Sequence, residues 1–273
     1  MTRKICVVTG SRADYGLLHP VILGISLDLE LELQLVVTGM HLSEEFGSTV
    51  AEIEADGFEI NYKVPTLANS DSPEGIAKSI ANGIEVCASA FAKLNPDLVV
   101  VLGDRFEIFA AASAALVSRL PIAHLHGGEV TAGAFDEAFR HSITKMSQLH
   151  FVAHEDYRNR VIQLGENPTH VFKVGALGVS NYKPEELLSK IQLEEEFGIV
   201  FKEKSLLITF HPVTLEKDTA VEQMNELLEA LETLDDTTLI FTMPNADTGG
   251  QAQMKLIEGF VEKHSNSVVF KSL

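Results

Sequence analysis

Asn95-Pro96-Asp97-Leu98-Val99-Val100-Val101-Leu102-Gly103-Asp104-Arg105-Phe106 is the stretch on which the fold turns. Five consecutive apolar residues cannot alternate between core and solvent, so both faces of this strand must be covered, as in a parallel sheet between two helical layers. Asn95-Pro96 stops the preceding helix, because the residue before a proline is pushed out of the helical region. The pattern repeats outward. Strands are expected at Ile5–Thr9, Leu31–Val37, Ile122–His126, His150–Ala153 and Val171–Val174, with helices at Tyr15–Leu27, Glu74–Leu94, Phe106–Arg119, Asp136–Ser147 and Asp156–Leu164. This rhythm predicts an α/β fold with a parallel sheet.

Beyond Val174 the composition shifts. Gly175-Ala176-Leu177-Gly178-Val179 leads through Tyr182-Lys183-Pro184 into a charged helical stretch over Glu185–Phe197, which reads as a hinge. A second α/β rhythm follows: strand Leu206–Phe210, helix Ala220–Leu234, strand Thr238–Met243, helix Ala252–Lys263 and strand Ser267–Phe270. Two Rossmann-like domains are therefore expected, 1–176 and 177–273. Three strands and two helices make half of a doubly wound domain, and a unit of about 70 residues buries little core alone. The second domain is thus expected to be incomplete and the chain a fragment.

Composition narrows the partners. The 273 residues are 45% apolar and 22% charged, as in a globular protein, and 39 acidic residues against 21 basic ones leave a net charge of −18. Such a surface repels nucleic acid and anionic membranes, so an anionic ligand has to be held locally. Cys6 lies in an apolar strand and Cys87 in a helical segment, which suits buried, reduced thiols and a cytoplasmic setting. No secretory signal is expected at the amino terminus, and the uncharged run Ile108–Ser118 falls short of the roughly 18 residues a membrane span needs.

Chemistry-bearing residues gather after the strands. Thr9-Gly10-Ser11-Arg12-Ala13-Asp14-Tyr15-Gly16 is a small-residue turn opening a helix, where free N–H groups favour an anion and Arg12 can add a bidentate contact. It is neither a dinucleotide fingerprint nor a Walker loop. Asp104 sits at a buried strand end, suited either to capping the next helix or, beside Arg105, to contacting sugar or phosphate oxygens. From His124 to His141 the chain packs three carboxylates, three imidazoles and a guanidinium into one stretch. His124 and His126, two apart on a strand, are expected on one side of the sheet. A metal pair, a structural hydrogen-bonded pair and a catalytic role are all open to them, but no third ligand stands at zinc spacing. Gly127-Gly128 would let backbone approach a ligand, with Glu129 in the same crevice. Asp136 and Arg140 are helical neighbours, as are Glu137 and His141, which suits either a solvated face or a paired carboxylate and guanidinium. In the second domain His211 and the loop holding Asn245 and Asp247 take corresponding strand-end positions.

Taken in order, Gly10-Ser11-Arg12-Ala13-Asp14-Tyr15, Gly103-Asp104-Arg105-Phe106, His124-Leu125-His126-Gly127-Gly128-Glu129, Asp136-Glu137-Ala138-Phe139-Arg140-His141, His211-Pro212-Val213-Thr214 and Pro244-Asn245-Ala246-Asp247 resemble the hydrolysing UDP-N-acetylglucosamine 2-epimerase family of sialic acid biosynthesis. The resemblance implies a glycosyltransferase-B type fold, a UDP-sugar substrate, no redox cofactor, no metal and a homodimer or homotetramer. It also implies elimination of UDP to a 2-acetamidoglucal followed by hydration, giving N-acetylmannosamine. By analogy Asp104 and Asp136 are acid–base carboxylates, and His211 is a cleft histidine. Arg140 orients Asp136 or binds pyrophosphate, while Gly10, Arg12, Asp14, Arg105, Asn245 and Asp247 contact substrate.

The chain departs from the family twice. His126 stands where N-acetylmannosamine-forming members often carry Glu, so His126 or Glu129 is expected to take that proton-transfer role. The family's serine-rich UDP loop lies beyond Leu273. The first departure opens an alternative substrate, UDP-2,4-diacetamido-2,4,6-trideoxyglucose. A sugar transferase of the same fold, or a nucleotide-sugar-binding regulator without turnover, are the competing readings.

Overall fold

The computed structural model describes residues 2–68, 70–180, 187–211, 213–216, 219–244 and 250–270. The chain divides into two units, Met1–Ser70 with Glu74–Tyr182 and Asp71–Pro73 with Lys183–Leu273.

In the first unit seven strands form one sheet: β1 (Arg3–Thr9), β2 (Leu31–Thr38), β3 (Tyr62–Val64), β4 (Leu98–Leu102), β5 (Ile122–Leu125), β6 (Leu149–Val152) and β7 (Val171–Lys173), in the order β3-β2-β1-β4-β5-β6-β7. Every neighbouring pair is parallel. The order runs backwards from β1 to β3 and forwards from β4 to β7, so the topological switch lies between β1 and β4. In open α/β sheets ligands bind at such a point, beyond the carboxyl ends of the strands.

The continuous apolar runs are explained by burial on both faces. Val99 and Val101 point into one core with Cys6, Val8, Phe91 and Ile108, while Val100 and Leu102 point into the other with Val7, Leu18, Ile22 and Leu125. The first core is closed by α3 (Pro73–Leu94) and α4 (Phe106–Val117), and the second by α1 (Arg12–Leu27). Ala111, Ala112, Ala114 and Ala115 of α4 are all fully buried, letting that helix lie close to the sheet. Cys6 and Cys87 are free and buried in this core, and burial pushes the Cys87 thiol up to about 12. Among the described residues no helix is long and apolar enough to cross a membrane.

Two elements escape periodicity. The three-residue β3 and the short helix α2 (Val50–Ala55) are too brief for a repeat to register, and both are set by packing along β2 and α1. Conversely, β5 ends at Leu125 rather than His126, because His126 adopts a left-handed φ of 61°.

Two further helices complete the relevant edge, α5 (Asp136–Met146) and α6 (Glu155–Gln163); α7 (Leu177–Ser180) packs on α1. In the second unit α8 (Lys190–Phe197) begins at a capping box between Ser189 and Gln192. It is followed by a parallel sheet in the order β10-β9-β8, made of β8 (Lys204–Ile208), β9 (Thr237–Thr242) and β10 (Ser267–Phe270). Its core is formed by α9 (Ala220–Leu231) and α10 (Gly250–Val261), which place Met224, Leu228, Ile257 and Phe260 against Leu239 and Phe241.

Gly128 shows how tightly one loop is docked. It has a φ of 78°, and a Cβ there would lie 2.4 Å from the Tyr157 carbonyl oxygen of α6. Gly128→Ala is therefore expected to lower unfolding free energy by at least about 2 kcal/mol, since left-handed strain and a backbone clash add. An unchanged urea midpoint would contradict this account.

Candidate functional site

The site is built where β1, β4 and β5 end. Ser11 caps α1, its hydroxyl accepting from the Asp14 N–H at 3.3 Å. On the other side of the switch, Gly103 N–H donates to the Leu125 carbonyl at 3.0 Å and its own carbonyl accepts from His124 Nε2 at 2.8 Å. A carbonyl only accepts, so Nε2 carries the proton and Nδ1 accepts from the Thr144 hydroxyl at 3.2 Å. His124 is fully buried and burial lowers its pKa to about 3, so the ring is neutral. This histidine ties β4, β5 and α5 together and is not a ligand-facing partner of His126.

Asp104 therefore projects from a turn pinned on two sides. It does not cap α4, whose N-cap is Arg105 without a side-chain cap bond. Instead its Oδ2 accepts from Arg140 Nη2, and Arg140 Nη1 also donates to the Thr131 hydroxyl at 3.1 Å. Arg140 is buried and the Asp104 side chain is 19% exposed, so the pair is shielded but open on one side. The guanidinium of α5 thus holds a carboxylate 36 residues away in sequence. Asp136, half-buried, is the first residue of α5, a position where the helix dipole favours a negative charge. Glu137 and His141 do approach, at 3.8 Å, and Glu137 also accepts from the Thr131 N–H at 3.0 Å.

His126 leaves the strand, and its ring lies between two elements. Leu177 N–H of α7 donates to Nε2 at 3.3 Å, so Nδ1 bears the proton and donates to Glu129 Oε1 at 2.8 Å. The expectation that His124 and His126 share a side fails because strand alternation ends before His126. Gly127 and Gly128 serve close packing. A Cβ at Gly127 would lie 3.0 Å from His124 Nδ1, and Arg160 of α6 holds the Gly128 carbonyl.

Around β1 a second cluster forms whose central residue, Glu107, sequence reasoning did not single out. Glu107 of α4 is fully buried, and its Oε1 accepts from Arg105 Nε at 2.7 Å. Gly10 faces this carboxylate, for a Cβ there would stand 2.6 Å from Glu107 Cγ. Asp14 lies in the same field. Burial raises its pKa from 3.8 to about 6, opposed by Arg105 and reinforced by Glu107. Arg12 is half-exposed and paired with Glu52 at 3.2 Å. The available signal was a lone carboxylate at the head of an otherwise apolar, alanine-rich helix. His41, buried between the Thr9 and Thr49 hydroxyls at 3.0 and 2.8 Å, was likewise unforeseen.

In the second unit His211 lies three residues past β8 and is exposed. Asn245 and Asp247 fall outside the described residues.

Two parallel, Rossmann-like sheets packed with helices, the larger carrying carboxylate and guanidinium side chains at its switch edge, define a protein of the glycosyltransferase-B type. A profile of the UDP-N-acetylglucosamine 2-epimerase family matches residues 25–273, and the chain belongs to that family. It is 41% identical over 264 residues to a Campylobacter jejuni protein named GDP/UDP-N,N'-diacetylbacillosamine 2-epimerase (hydrolyzing), covering 97% of this chain and 68% of that protein. It is 37% identical over 274 residues to the UDP-N,N'-diacetylbacillosamine 2-epimerase (hydrolyzing) of Legionella pneumophila, covering 100% of this chain and 72% of that one. The fold matches the crystal structure of Methanocaldococcus jannaschii UDP-GlcNAc 2-epimerase in complex with UDP-GlcNAc and UDP. The TM-score is 0.78 at 19% identity, over 98% of this chain and 73% of that chain.

The Asp14 shift has a stability consequence. A carboxyl whose folded pKa is raised favours the fold below about 3.8 and loses that contribution as pH rises through about 6. Asp14→Asn is therefore expected to gain stability relative to the parent between pH 4 and pH 6 and to keep that gain above it. Urea midpoints across that range test this, and a pH-independent difference would refute it.

Proposed function

We propose that the chain is a hydrolysing 2-epimerase whose substrate is UDP-N,N'-diacetylbacillosamine, the UDP-2,4-diacetamido-2,4,6-trideoxyglucose of the alternative above. The observation that carries this is the identity of 41% and 37% to two relatives named for that sugar. The expectation of UDP-N-acetylglucosamine as substrate gives way to it, while the reaction type stays the same.

The reaction joins one water to the nucleotide sugar. A base removes the C2 hydrogen as a proton, the C1–O bond breaks and UDP leaves, giving a 2,4-diacetamido glycal. Water then adds its hydroxyl to C1, and a proton enters C2 from the opposite face. The products are UDP and the 2-epimerised free sugar. The C2–H of a 2-acetamido sugar is weakly acidic, so removal needs a positioned base and stabilisation of the leaving diphosphate, each contributing about 10²–10⁴-fold.

Asp104, fixed by Arg140, and Asp136 are the acid–base carboxylates of this reading. Arg140 acts by orienting Asp104, as its hydrogen bond supports. His126 with Glu129 forms the second proton-transfer pair, its tautomer set by the Leu177 N–H. Gly10, Arg12, Asp14 and Arg105 line the sugar-diphosphate side. His211, Asn245 and Asp247 are assigned to substrate from the second unit by family resemblance.

Incubation with UDP-N,N'-diacetylbacillosamine in D₂O is expected to release UDP and leave deuterium at C2 of the product. Release with UDP-N-acetylglucosamine alone would return the assignment to that sugar, and an unlabelled product would refute elimination. Asp104→Asn and Asp136→Asn are each expected to lower kcat by at least about 10²-fold with little change in KM. Parental turnover in either variant removes that residue from the chemistry.

A further inference from the structure

Glu107 is the most deeply buried carboxylate among the described residues, with a relative exposure of 1% and a side chain at 0%. It sits one residue into α4 yet reaches across the ends of two other strands. A Cβ at Gly10 after β1 would meet its Cγ at 2.6 Å, and a Cβ at Gly39 after β2 would meet it at 3.2 Å. Gly39 also has a φ of 59° and would place a Cβ 2.7 Å from the Gly10 carbonyl oxygen. Two strand ends are thus shaped around one carboxylate.

Burying an acidic group there is costly unless it is matched. The match is Arg105, whose Nε donates to Oε1 at 2.7 Å and whose side chain is only 12% exposed. Glu107 Oε2 has no hydrogen-bond partner among the described residues. The hydrogen bond of Oε1 is spent on the Nε edge of the Arg105 guanidinium. Holding Arg105 by Nε fixes the plane of the fork and hence the direction of its Nη groups, the geometry that matters for bidentate contact with phosphate.

We propose that Glu107 is a positioning residue that holds the Arg105 guanidinium at the β1–β4 switch edge for the diphosphate of a nucleotide sugar. This rests on the reading of the chain as a nucleotide-sugar epimerase.

A double-mutant cycle on the full chain tests it, with the parent, Glu107→Gln, Arg105→Ala and the double variant. UDP release from UDP-N,N'-diacetylbacillosamine gives kcat and KM, calorimetric titration with UDP gives affinity, and thermal melts monitor folding. Glu107→Gln is expected to raise KM and weaken UDP binding about tenfold with kcat within about threefold of the parent. In the Arg105→Ala background it should change neither. Parental KM and UDP affinity in Glu107→Gln, or equal losses in both backgrounds, would overturn the proposal. Should Glu107→Gln not fold, Arg105→Lys reads the same contact, since it keeps a cation but has no Nε. It should behave as Arg105→Ala does, and parental behaviour would count against Glu107. If the parent releases no UDP while the UDP-binding cycle is non-additive, the epimerase reading fails and the positioning role stands. If the parent turns over and the cycle is additive, only the positioning role fails.

Discussion

A parallel sheet has one constraint from which the rest of this site follows: all seven strands of the first unit run the same way, so every strand-to-helix turn opens on the same edge. Residues far apart in the chain are thereby delivered to one rim without any long loop. Between β1 and β4 the connections diverge to opposite sides of the sheet. The turns after Thr9 and Leu102 border that switch point, which is why Ser11, Asp14, Asp104 and Arg105 come from two sequence regions about ninety residues apart.

Neutral histidines do the fastening. His124 is driven to the uncharged form by burial and spends both ring nitrogens on protein groups, one on the Gly103 carbonyl and one on the Thr144 hydroxyl. That pair of bonds fixes the turn from which Asp104 projects. His41 plays a similar part near β2, with its pKa lowered to about 4 by burial and a threonine hydroxyl on each nitrogen. Charge is kept to the rim, where guanidinium groups match it. Arg140 serves Asp104 and Arg105 serves Glu107. Such pairs orient side chains more than they stabilise the fold, because desolvation offsets much of their attraction.

Much of this was legible before any coordinates. The uninterrupted apolar runs at Leu98–Leu102 and their kin identified a sheet buried on both faces, and the dense polar turns after them lie along the edge where the candidate site is assembled. Where the reading went astray, local rules had been carried too far. The His124–His126 pairing assumed that strand alternation persists to His126, but a φ of 61° ends it one residue earlier. The helical spacing of Asp136 and Arg140 gave no hint that packing of α5 against α4 carries Arg140 to Asp104. Gly127-Gly128 suggested room for a ligand, but α6 and His124 occupy that side.

By itself the sequence determined the α/β class, the parallel sheet and the set of residues able to do acid–base chemistry, because hydrophobic periodicity and turn chemistry are local properties. Only the tertiary structure decided which carboxylate each guanidinium holds, which tautomer His124 and His126 adopt, and that Glu107 fills a notch between two glycines. Most of those depend on contacts between residues about 20 to 100 apart in sequence, as in His124 with Thr144, Asp104 with Arg140 and Gly10 with Glu107, and no pattern along the chain encodes a distance across a sheet edge.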